Sequence, residues 1–330
     1  MRLQQLEKFN PITIQCHDNP DADALASGFG LYTYFKEKDK DVRLIYTGRN
    51  RIQKTNLRLM VDKLQIPIEY VENAHIPING LLVTVDCQYG AGNVTRLTAR
   101  QVAVIDHHEL EICNGELSEI RPDVGSCATV VWHMLAEEGF SFTGRTELGT
   151  ALYYGLYADT NQFSEIYHPL DMQLRDSVPF NKDLISLFRN SNLSLEEMEI
   201  AGVAMIQHVY NAKYRYDIVK TRPCDPNILG FISDFVMQVD GVDSCVVYNH
   251  QEDGIKFSVR SCLKDVFANE LASYLGGDIG SGGGHSEKAG GFLVKSKYDR
   301  KMKEFEAEGY FSEKLNAYFS KRQEQILLYK

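Results

Sequence analysis

The sequence has 330 residues, of which 44% are hydrophobic, and a formal net charge of −10. This length predicts two domains with apolar cores, and the acidic balance excludes a broad basic surface for long DNA or RNA. The chain has neither a signal-peptide pattern nor the roughly 18 apolar residues of a membrane helix, so we expect a soluble cytoplasmic protein with no membrane partner.

Short apolar runs alternate with helical patterns in the first half of the chain. The predicted strands are residues 12–16, 42–46, 81–85 and 102–105, and the predicted helices are residues 22–36, 126–138 and 146–159. This alternation is typical of an α/β domain built on a mainly parallel sheet. A mostly helical region follows, in which Ser194 and Glu197 have the spacing of a capping box.

The pattern changes at about residue 214. Strands are predicted at residues 214–220, 244–249 and 255–261, followed by a helix at 266–275, a glycine cluster and a charged tail at 299–330. We expect this tail to be an amphipathic helix that serves packing or dimerisation. The sequence thus predicts a larger α/β domain at 1–190, a helical connector at 191–213 and a smaller α/β domain at 214–330.

Charged residues directly follow the three clearest predicted strands. The first strand runs into His17, Asp21 and Asp23, the third into Asp86, and the fourth into Asp106, His107 and His108. Ligands of open α/β sheets bind beyond the carboxyl ends of the strands, so we expect these side chains to share one crevice. Asp159 ends an otherwise apolar helix, where a carboxylate is costly unless it is paired or metal-bound.

Each of these motifs alone also has an ordinary explanation. Asp and Asn are common at turns and helix N-caps, Asp86 alone would be a plain strand-terminal residue, and Asp159 alone would be an exposed helix end. The joint order of the motifs at successive element ends favours a shared site. The remaining histidines lack ligand-like neighbours, and we expect them at the surface or in packing: His75, His133, His168, His208 and His250.

The carboxylate and imidazole groups suit a pair of divalent cations. Seven cysteines occur, but they form no CxxC pair and predict buried thiols rather than zinc ligands or disulfides. Manganese is the first expectation, with magnesium or cobalt as alternatives. Two ions about 3.5–4 Å apart, bridged by a carboxylate, would activate water and stabilise charge on an attacked phosphoryl group.

These motifs resemble those of the DHH phosphoesterase family, which has an HxxxDxD opening, a second aspartate, the DHH sequence and a later aspartate. The resemblance implies that one ion is held by His17, Asp21, Asp86 and Asp159, and the other by Asp23, Asp86, His107 and Asp159. It also implies that Asp86 bridges the ions and that His108 faces the substrate phosphate. Asp106 would orient a histidine through a hydrogen bond.

Residues 281–291 resemble the GGGH loop of the DHH-associated C-terminal domain, so the resemblance spans nearly the whole chain. Gly283 and Gly284 would let backbone N–H groups approach an anion, and His285 could donate to a phosphate. A flexible turn is the alternative explanation. Arg260, in the matching run 257–261, is implied to bind substrate phosphate, for which a guanidinium offers bidentate geometry.

Taken together, the chain is most similar to the short nano-RNase and pAp phosphatase branch of the family. The GGGH segment argues against the pyrophosphatase and exopolyphosphatase branches. We expect a metal-dependent hydrolase of short 5′-phosphorylated oligonucleotides or pAp, without a track for long strands and with a homodimer as the family-level expectation. A cyclic di-AMP phosphodiesterase is the alternative enzyme, and a non-catalytic nucleotide or metal sensor is the alternative class.

Overall fold

The computed structural model describes residues 1–72, 77–112, 115–224, 226–301 and 306–328. The chain divides into two compact units, Met1–Leu193 and Ser194–Lys330. This boundary falls within 191–213, the segment expected to be a separate connector, and most of that segment belongs to the second unit. Within the described ranges, no helix is both long enough and apolar enough to span a membrane.

A six-stranded parallel sheet forms the centre of the first unit, as the alternating pattern predicted. Its strands are β1 (Ile12–Cys16), β2 (Val42–Tyr46), β3 (Ile68–Tyr70), β4 (Ile78–Val85), β5 (Ala99–Asp106) and β6 (Ser118–Ile120). Their order is β3-β2-β1-β4-β5-β6, and every neighbouring pair is parallel. All of β1 is buried, including the polar Thr13 and Gln15, and the Gln15 side chain donates a hydrogen bond to the carbonyl of Thr95.

Helices of the first unit pack around this sheet. They are α1 (Ala22–Glu37), α2 (Thr55–Lys63), α3 (Cys127–Glu137), α4 (Thr146–Asp159), α5 (Pro169–Ser177) and α6 (Lys182–Asn190), and a short 3₁₀ turn lies at Leu3–Gln5. Helix α1 packs against both α3 and α4. The three helices that the sequence predicted in the first half of the chain are confirmed, and they correspond to α1, α3 and α4.

The second unit is built on a six-stranded mixed sheet of order β11-β12-β10-β9-β8-β7. Its strands are β7 (Val209–Asn211), β8 (Tyr216–Thr221), β9 (Ser244–Gln251), β10 (Gly254–Ser261), β11 (Gly280–Gly284) and β12 (Lys288–Val294). Strands β8 and β9 are parallel, and the other neighbours are antiparallel. The predicted second α/β domain is thus present, with β8, β9 and β10 close to the expected positions.

Helices of the second unit are α7 (Leu195–Ile206), α8 (Pro226–Val236), α9 (Ala268–Gly276), α10 (Lys295–Lys301) and α11 (Ala307–Leu328), with a 3₁₀ turn at Gly277–Ile279. Ser194 caps α7 in the predicted capping box with Glu197. Side chains of α9 and α11, including Leu271 and Phe311, form one core with Phe257 of β10. The charged tail therefore contributes α11 to the packing of its own unit.

Replacing Gly149 in α4 should destabilise the protein. A Cβ there would lie 2.0 Å from the carbonyl oxygen of Pro179, so Gly149→Ala should lower the free energy of unfolding by about 1–3 kcal/mol. Gly202→Ala in α7 is the matched control, because no atom of the described residues lies within 4 Å of that Cβ position. Thermal unfolding followed by circular dichroism tests both, and an unchanged Tm for Gly149→Ala would contradict the contact.

Candidate metal centre

The carboxyl ends of β1, β4 and β5, which are neighbours in the first sheet, bring the predicted site residues together. His17 follows β1, Asp86 follows β4, and Asp106 ends β5. The ends are in register, because Cys16 lies opposite Val85. Parallel strands end at one edge of a sheet, and polar side chains that follow them must therefore meet.

Asp86 lies at the centre of this group and is only 2% exposed. Its Oδ2 lies 3.6 Å from Nε2 of His17, and its Oδ1 lies 3.5 Å from Nε2 of His107 and 3.8 Å from Nδ1 of His108. Oδ1 has no hydrogen-bond partner among the described residues. The backbone φ of Asp86 is 60°, a left-handed conformation that is concentrated at functional sites. A cation would stabilise this buried oxygen.

Asp21 has two roles at the start of α1. Its Oδ1 accepts hydrogen bonds from the backbone N–H groups of Asp23 and Ala24, at 2.9 and 3.1 Å, and so caps the helix. Its Oδ2 lies 3.9 Å from Nε2 of His17. The N-cap explanation and the ligand explanation of this motif are compatible, because each uses a different oxygen.

The N-terminus of α3 holds Asp23, which is buried in the first turn of α1. The backbone N–H of Cys127 donates to Oδ2 at 2.6 Å, and that of Ala128 donates to Oδ1 at 2.8 Å. These N–H groups and the helix dipole stabilise a negative charge. Because Oδ2 also lies 3.8 Å from Nε2 of His107, Asp23 is held with one oxygen towards the cluster.

His107 is buried between a backbone carbonyl and the carboxylates. Its Nδ1 lies 3.4 Å from the carbonyl oxygen of Val124, which can only accept, so this contact favours the tautomer with the proton on Nδ1. Its Nε2 lies 3.2 Å from Oδ2 of Asp159, the last residue of α4. The ring is therefore oriented like a metal-ligating histidine whose second nitrogen is held by the protein.

Asp106 forms a hydrogen-bonded pair with His108. Its Oδ1 accepts from Nδ1 of His108 at 2.8 Å and from the backbone N–H of His107 at 2.9 Å. Burial alone would lower the pKa of His108, but the hydrogen bond to Asp106 and the nearby carboxylates raise it to about 10. Burial would raise the pKa of Asp106, whereas its hydrogen bond with His108 lowers it to about 2. The metal-free pair is thus an ion pair at neutral pH.

Burial also changes the pKa values of the central groups. Burial and the charges of Asp86 and Asp159 raise the pKa of Asp23 well above its ordinary value. Burial raises the pKa of Asp86 to about 6, although the nearby His17 ring opposes this. Burial would lower the pKa of His17, but the nearby carboxylates of Asp21 and Asp86 raise it to about 10. The metal-free cluster therefore holds protons that a divalent cation would displace.

The donor atoms fit divalent cations. Two groups of three, His17 with Asp21 and Asp86, and Asp23 with Asp86 and His107, each place donor atoms within 4.8 Å of one another. Metal–ligand distances of about 2.0–2.2 Å would separate adjacent donors by about 3.0–3.6 Å. The observed separations of 3.5–3.9 Å are close to this spacing, and Asp86 belongs to both groups.

Buried thiols surround the cluster. Burial and neighbouring carboxylates raise the pKa values of Cys16, Cys87 and Cys127 well above the ordinary value. These thiols are therefore neutral at neutral pH and are poor ligands. Buried thiols were predicted, and four of the six described cysteines are buried, whereas Cys224 is half-buried and Cys262 is exposed.

Gln88 is a structural part of the site that the sequence did not reveal. Its Nε2 donates to Oδ2 of Asp106 at 3.0 Å and to the carbonyl of Glu109 at 2.8 Å. Its Oε1 accepts the backbone N–H groups of Glu111 and Ile112 at 2.9 and 3.0 Å. Gln88 thus joins the turn after β4 to the loop after β5, and it fixes the far side of the Asp106 carboxylate.

Asp18, which directly follows His17, is a second structural residue near the site. Its Oδ1 accepts from the hydroxyl of Thr47 at 2.5 Å and from the backbone N–H of Thr95 at 2.9 Å, and its Oδ2 accepts from the hydroxyl of Thr95 at 2.7 Å. These bonds tie the segment after β1 to two neighbouring loops. Asp18 therefore supports the backbone that carries His17.

The second unit places Arg260 in an ion pair that the sequence did not predict. Its Nε donates to Oδ1 of Asp234 in α8 at 2.6 Å, and its Nη1 contacts Oγ of Ser258 at 3.0 Å. The side chain is 13% exposed. The guanidinium is thus held beside α8, and its proposed contact with a substrate phosphate stays a prediction.

The glycine-rich segment is a strand rather than a loop. Gly283 and Gly284 lie in β11, paired with Gly290 and Ala289 of β12, and only residues 285–287 lie outside the two strands. The backbone N–H of His285 donates to the carbonyl of Lys288 at 2.7 Å. A Cβ on neighbouring Gly282 would lie 2.2 Å from the carbonyl oxygen of Ala272 in α9. Close packing of strand on helix therefore explains part of the glycine run.

The other histidines have contacts of their own. His168 caps α5 and lies 3.3 Å from Asp123, and Nδ1 of His208 lies 2.7 Å from Asp217. Neither they nor His133 and His250 belong to a potential metal group among the described residues. His75 lies outside the described residues.

Comparison with known proteins assigns the class. Residues 11–156 match the family described as DHH family, N-terminal domain. This match confirms the resemblance seen in the motifs of the first unit, which carries a DHH family N-terminal domain.

Two relatives and one solved structure extend this result. A protein of Methanocaldococcus jannaschii described as uncharacterised is 26% identical over 294 residues, which cover 88% of this chain and 59% of that protein. The bifunctional oligoribonuclease and PAP phosphatase NrnA of Thermus thermophilus is 25% identical over 301 residues, which cover 86% of this chain and 84% of that protein. The chain thus spans less than two thirds of the first relative.

An exopolyphosphatase-related protein from Bacteroides fragilis has the same fold. Its crystal structure superposes with a TM-score of 0.68 at 18% identity, covering 96% of this chain and 94% of that chain. At this level of identity the likeness concerns the fold alone.

Asp106→Asn should lower the pKa of His108 in metal-free protein. The substitution removes the charge beside Nδ1 of His108, where the hydrogen bond measures 2.8 Å, so the protonated ring loses stabilisation. Histidine ring signals followed by NMR against pH in chelator-treated protein measure this. Asp176→Asn, at an exposed position of α5, is the control. An equal His108 pKa in wild type and Asp106→Asn would show that the pairing is wrong.

Proposed function

We propose that this protein is a phosphoesterase that uses two divalent cations, manganese first, to hydrolyse short 5′-phosphorylated oligonucleotides or pAp-like nucleotides. The observation that carries the proposal is the position of Asp86. It belongs to all three potential metal groups found among the described residues of the first unit, including the two proposed to bind the ions, and its buried Oδ1 has no hydrogen-bond partner among the described residues. A carboxylate shared in this way is the bridging ligand that a two-metal site requires.

The DHH motifs supply the proposed ligands, and the two donor groups support all of them except Asp159, which contacts His107. His17, Asp21, Asp86 and Asp159 hold one ion, and Asp23, Asp86, His107 and Asp159 hold the other. When bound, such ions supply an activated water and Lewis-acid stabilisation of the phosphoryl oxygens. The protein contributes the orientation of each ligand, through the helix cap at Asp21 and the α3 N–H groups at Asp23.

His108 is proposed to bind the substrate phosphate. Its Nδ1 is held by Asp106, which directs the Nε2 edge away from that carboxylate. The side chain is 39% exposed, in contrast to the buried His107. A negatively charged partner favours the protonated ring, which would donate from Nε2 to a phosphate oxygen and offset the charge that develops there.

Arg260, Gly283, Gly284 and His285 of the second unit are proposed to bind the substrate. A guanidinium has five N–H donors, more than Arg260 uses with Asp234, Ser258 and the carbonyl of Val259, and so it can still contact a phosphate. The similarity to NrnA of Thermus thermophilus, a bifunctional oligoribonuclease and PAP phosphatase, supports this substrate class. The net charge of −10 supports short substrates, since a long strand needs many basic contacts. Dimerisation stays a prediction.

A substrate panel tests the proposal. A 5′-phosphorylated dinucleotide, pAp, cyclic di-AMP and a long single strand are compared by kcat/KM with added Mn²⁺, and each is repeated with chelator. The proposal predicts chelator-sensitive turnover with the dinucleotide or pAp preferred. Preference for cyclic di-AMP would replace it with the alternative enzyme, and nucleotide binding without turnover would indicate a sensor.

Two substitutions separate chemistry from binding. Asp86→Ala should abolish turnover, because it removes the shared ligand, whereas Arg260→Ala should mainly raise KM by about 10- to 100-fold through loss of a charge-assisted hydrogen bond. Arg43→Ala, at an exposed ion pair on β2, is the matched control for Arg260→Ala. Steady-state kinetics measure all three variants, and full activity of Asp86→Ala would refute the two-metal assignment.

A further inference from the structure

A fully buried carboxylate, Asp171, lies outside the proposed metal groups. It is in the first turn of α5 and is 0% exposed. Its Oδ1 accepts a hydrogen bond from the hydroxyl of Thr129 at 2.6 Å. The backbone N–H of Gly125 lies 3.2 Å from Oδ1 and 3.0 Å from Oδ2. A buried carboxylate needs such donors. Here they come from Gly125 and Thr129, which lie close together at the start of α3.

That segment, residues 124–128, contacts two of the proposed ligands. The carbonyl of Val124 lies 3.4 Å from Nδ1 of His107. The backbone N–H groups of Cys127 and Ala128 donate to the two oxygens of Asp23, at 2.6 and 2.8 Å. The 124–128 turn therefore orients the side chains of both Asp23 and His107. Asp171 holds this turn at two points: at Gly125, next to Val124, and at Thr129, in the first turn of α3.

We propose that Asp171 is a positioning residue for the ion held by Asp23 and His107, and that it acts through the 124–128 turn. This inference rests on the proposed two-metal function. Partners that orient metal ligands typically change metal affinity by about 10- to 100-fold when they are lost. Loss of Asp171 should change the affinity for this ion alone. Asp21 is fixed by the N-terminus of α1 and His17 follows β1, and among the described residues neither side chain has a hydrogen bond to the 124–128 turn.

A purely structural role for Asp171 makes a different prediction. Asp171 joins α5 to the start of α3, so its loss could simply weaken the packing of these helices. Weaker packing would lower stability and would affect both ions alike. Positioning through the turn affects one ion and leaves the other unchanged, and the ratio of the two affinities therefore separates the roles.

The test measures Mn²⁺ affinity of the full-length, metal-free protein, one ion at a time. In a His17→Asn background the Asp23–His107 ion is retained, and in an Asp23→Asn background the His17–Asp21 ion is retained. Isothermal titration with Mn²⁺ gives the Kd in each background, with and without Asp171→Asn. We expect Asp171→Asn to raise the Kd about 10- to 100-fold in the first background, and to leave it unchanged in the second.

Matched variants keep the result interpretable if Asp171→Asn folds poorly. Thr129→Val removes the hydroxyl that donates to Asp171 but keeps the side-chain shape, while Thr129→Ser keeps the hydroxyl. The proposal predicts the same selective loss for Thr129→Val and its rescue in Thr129→Ser. Asp176→Asn, an exposed carboxylate on the same helix, should change neither affinity. Denaturant unfolding in chelator records the stability of each variant.

The outcomes distinguish this inference from the proposed function. If the wild-type protein binds two Mn²⁺ ions but Asp171→Asn and Thr129→Val change neither Kd, or change both equally, the positioning role is wrong and the two-metal proposal stands. If the wild-type protein binds no Mn²⁺, both fail together. A selective change in the first background alone supports the role of Asp171.

Discussion

The candidate site depends on how the fold stabilises several ionisable groups that it removes from water. Asp23 and Asp86 are almost fully buried and lie close enough to raise each other's cost of ionisation. Nearby structure compensates each one differently, with α3 N–H groups at Asp23 and histidines around Asp86. Neither carboxylate could stay buried without these contacts. The site therefore requires α1, α3 and the strand ends to lie where they do.

The parallel sheet and the members of the site could be predicted because both leave local signals. The buried ends of β1, β4 and β5 are mainly apolar, and Asp and His residues follow directly where these strands end. Strands β3 and β6 could not be found in this way, because each has three residues of which none is fully buried. Their pairing depends on neighbouring strands rather than on their own pattern.

The supporting contacts could not be predicted because they join side chains to distant backbone. Gln88 and Asp171 act on N–H and carbonyl groups of loops, and nothing in their sequence neighbourhoods separates them from surface residues. The ion pair of Arg260 with Asp234 similarly needs the packing of α8 on β10. The glycine run suggested a loop, since its local composition does not reveal the close approach of α9.

The bond between Asp23 and the start of α3 joins residues 104 positions apart in the chain. Contacts at such separation in the sequence slow the search for the native state. During synthesis, a chain that ended before α3 would carry the HxxxDxD segment without the backbone donors that stabilise its second aspartate. The proposed cation site at Asp23 would therefore be complete only once α3 has docked on α1.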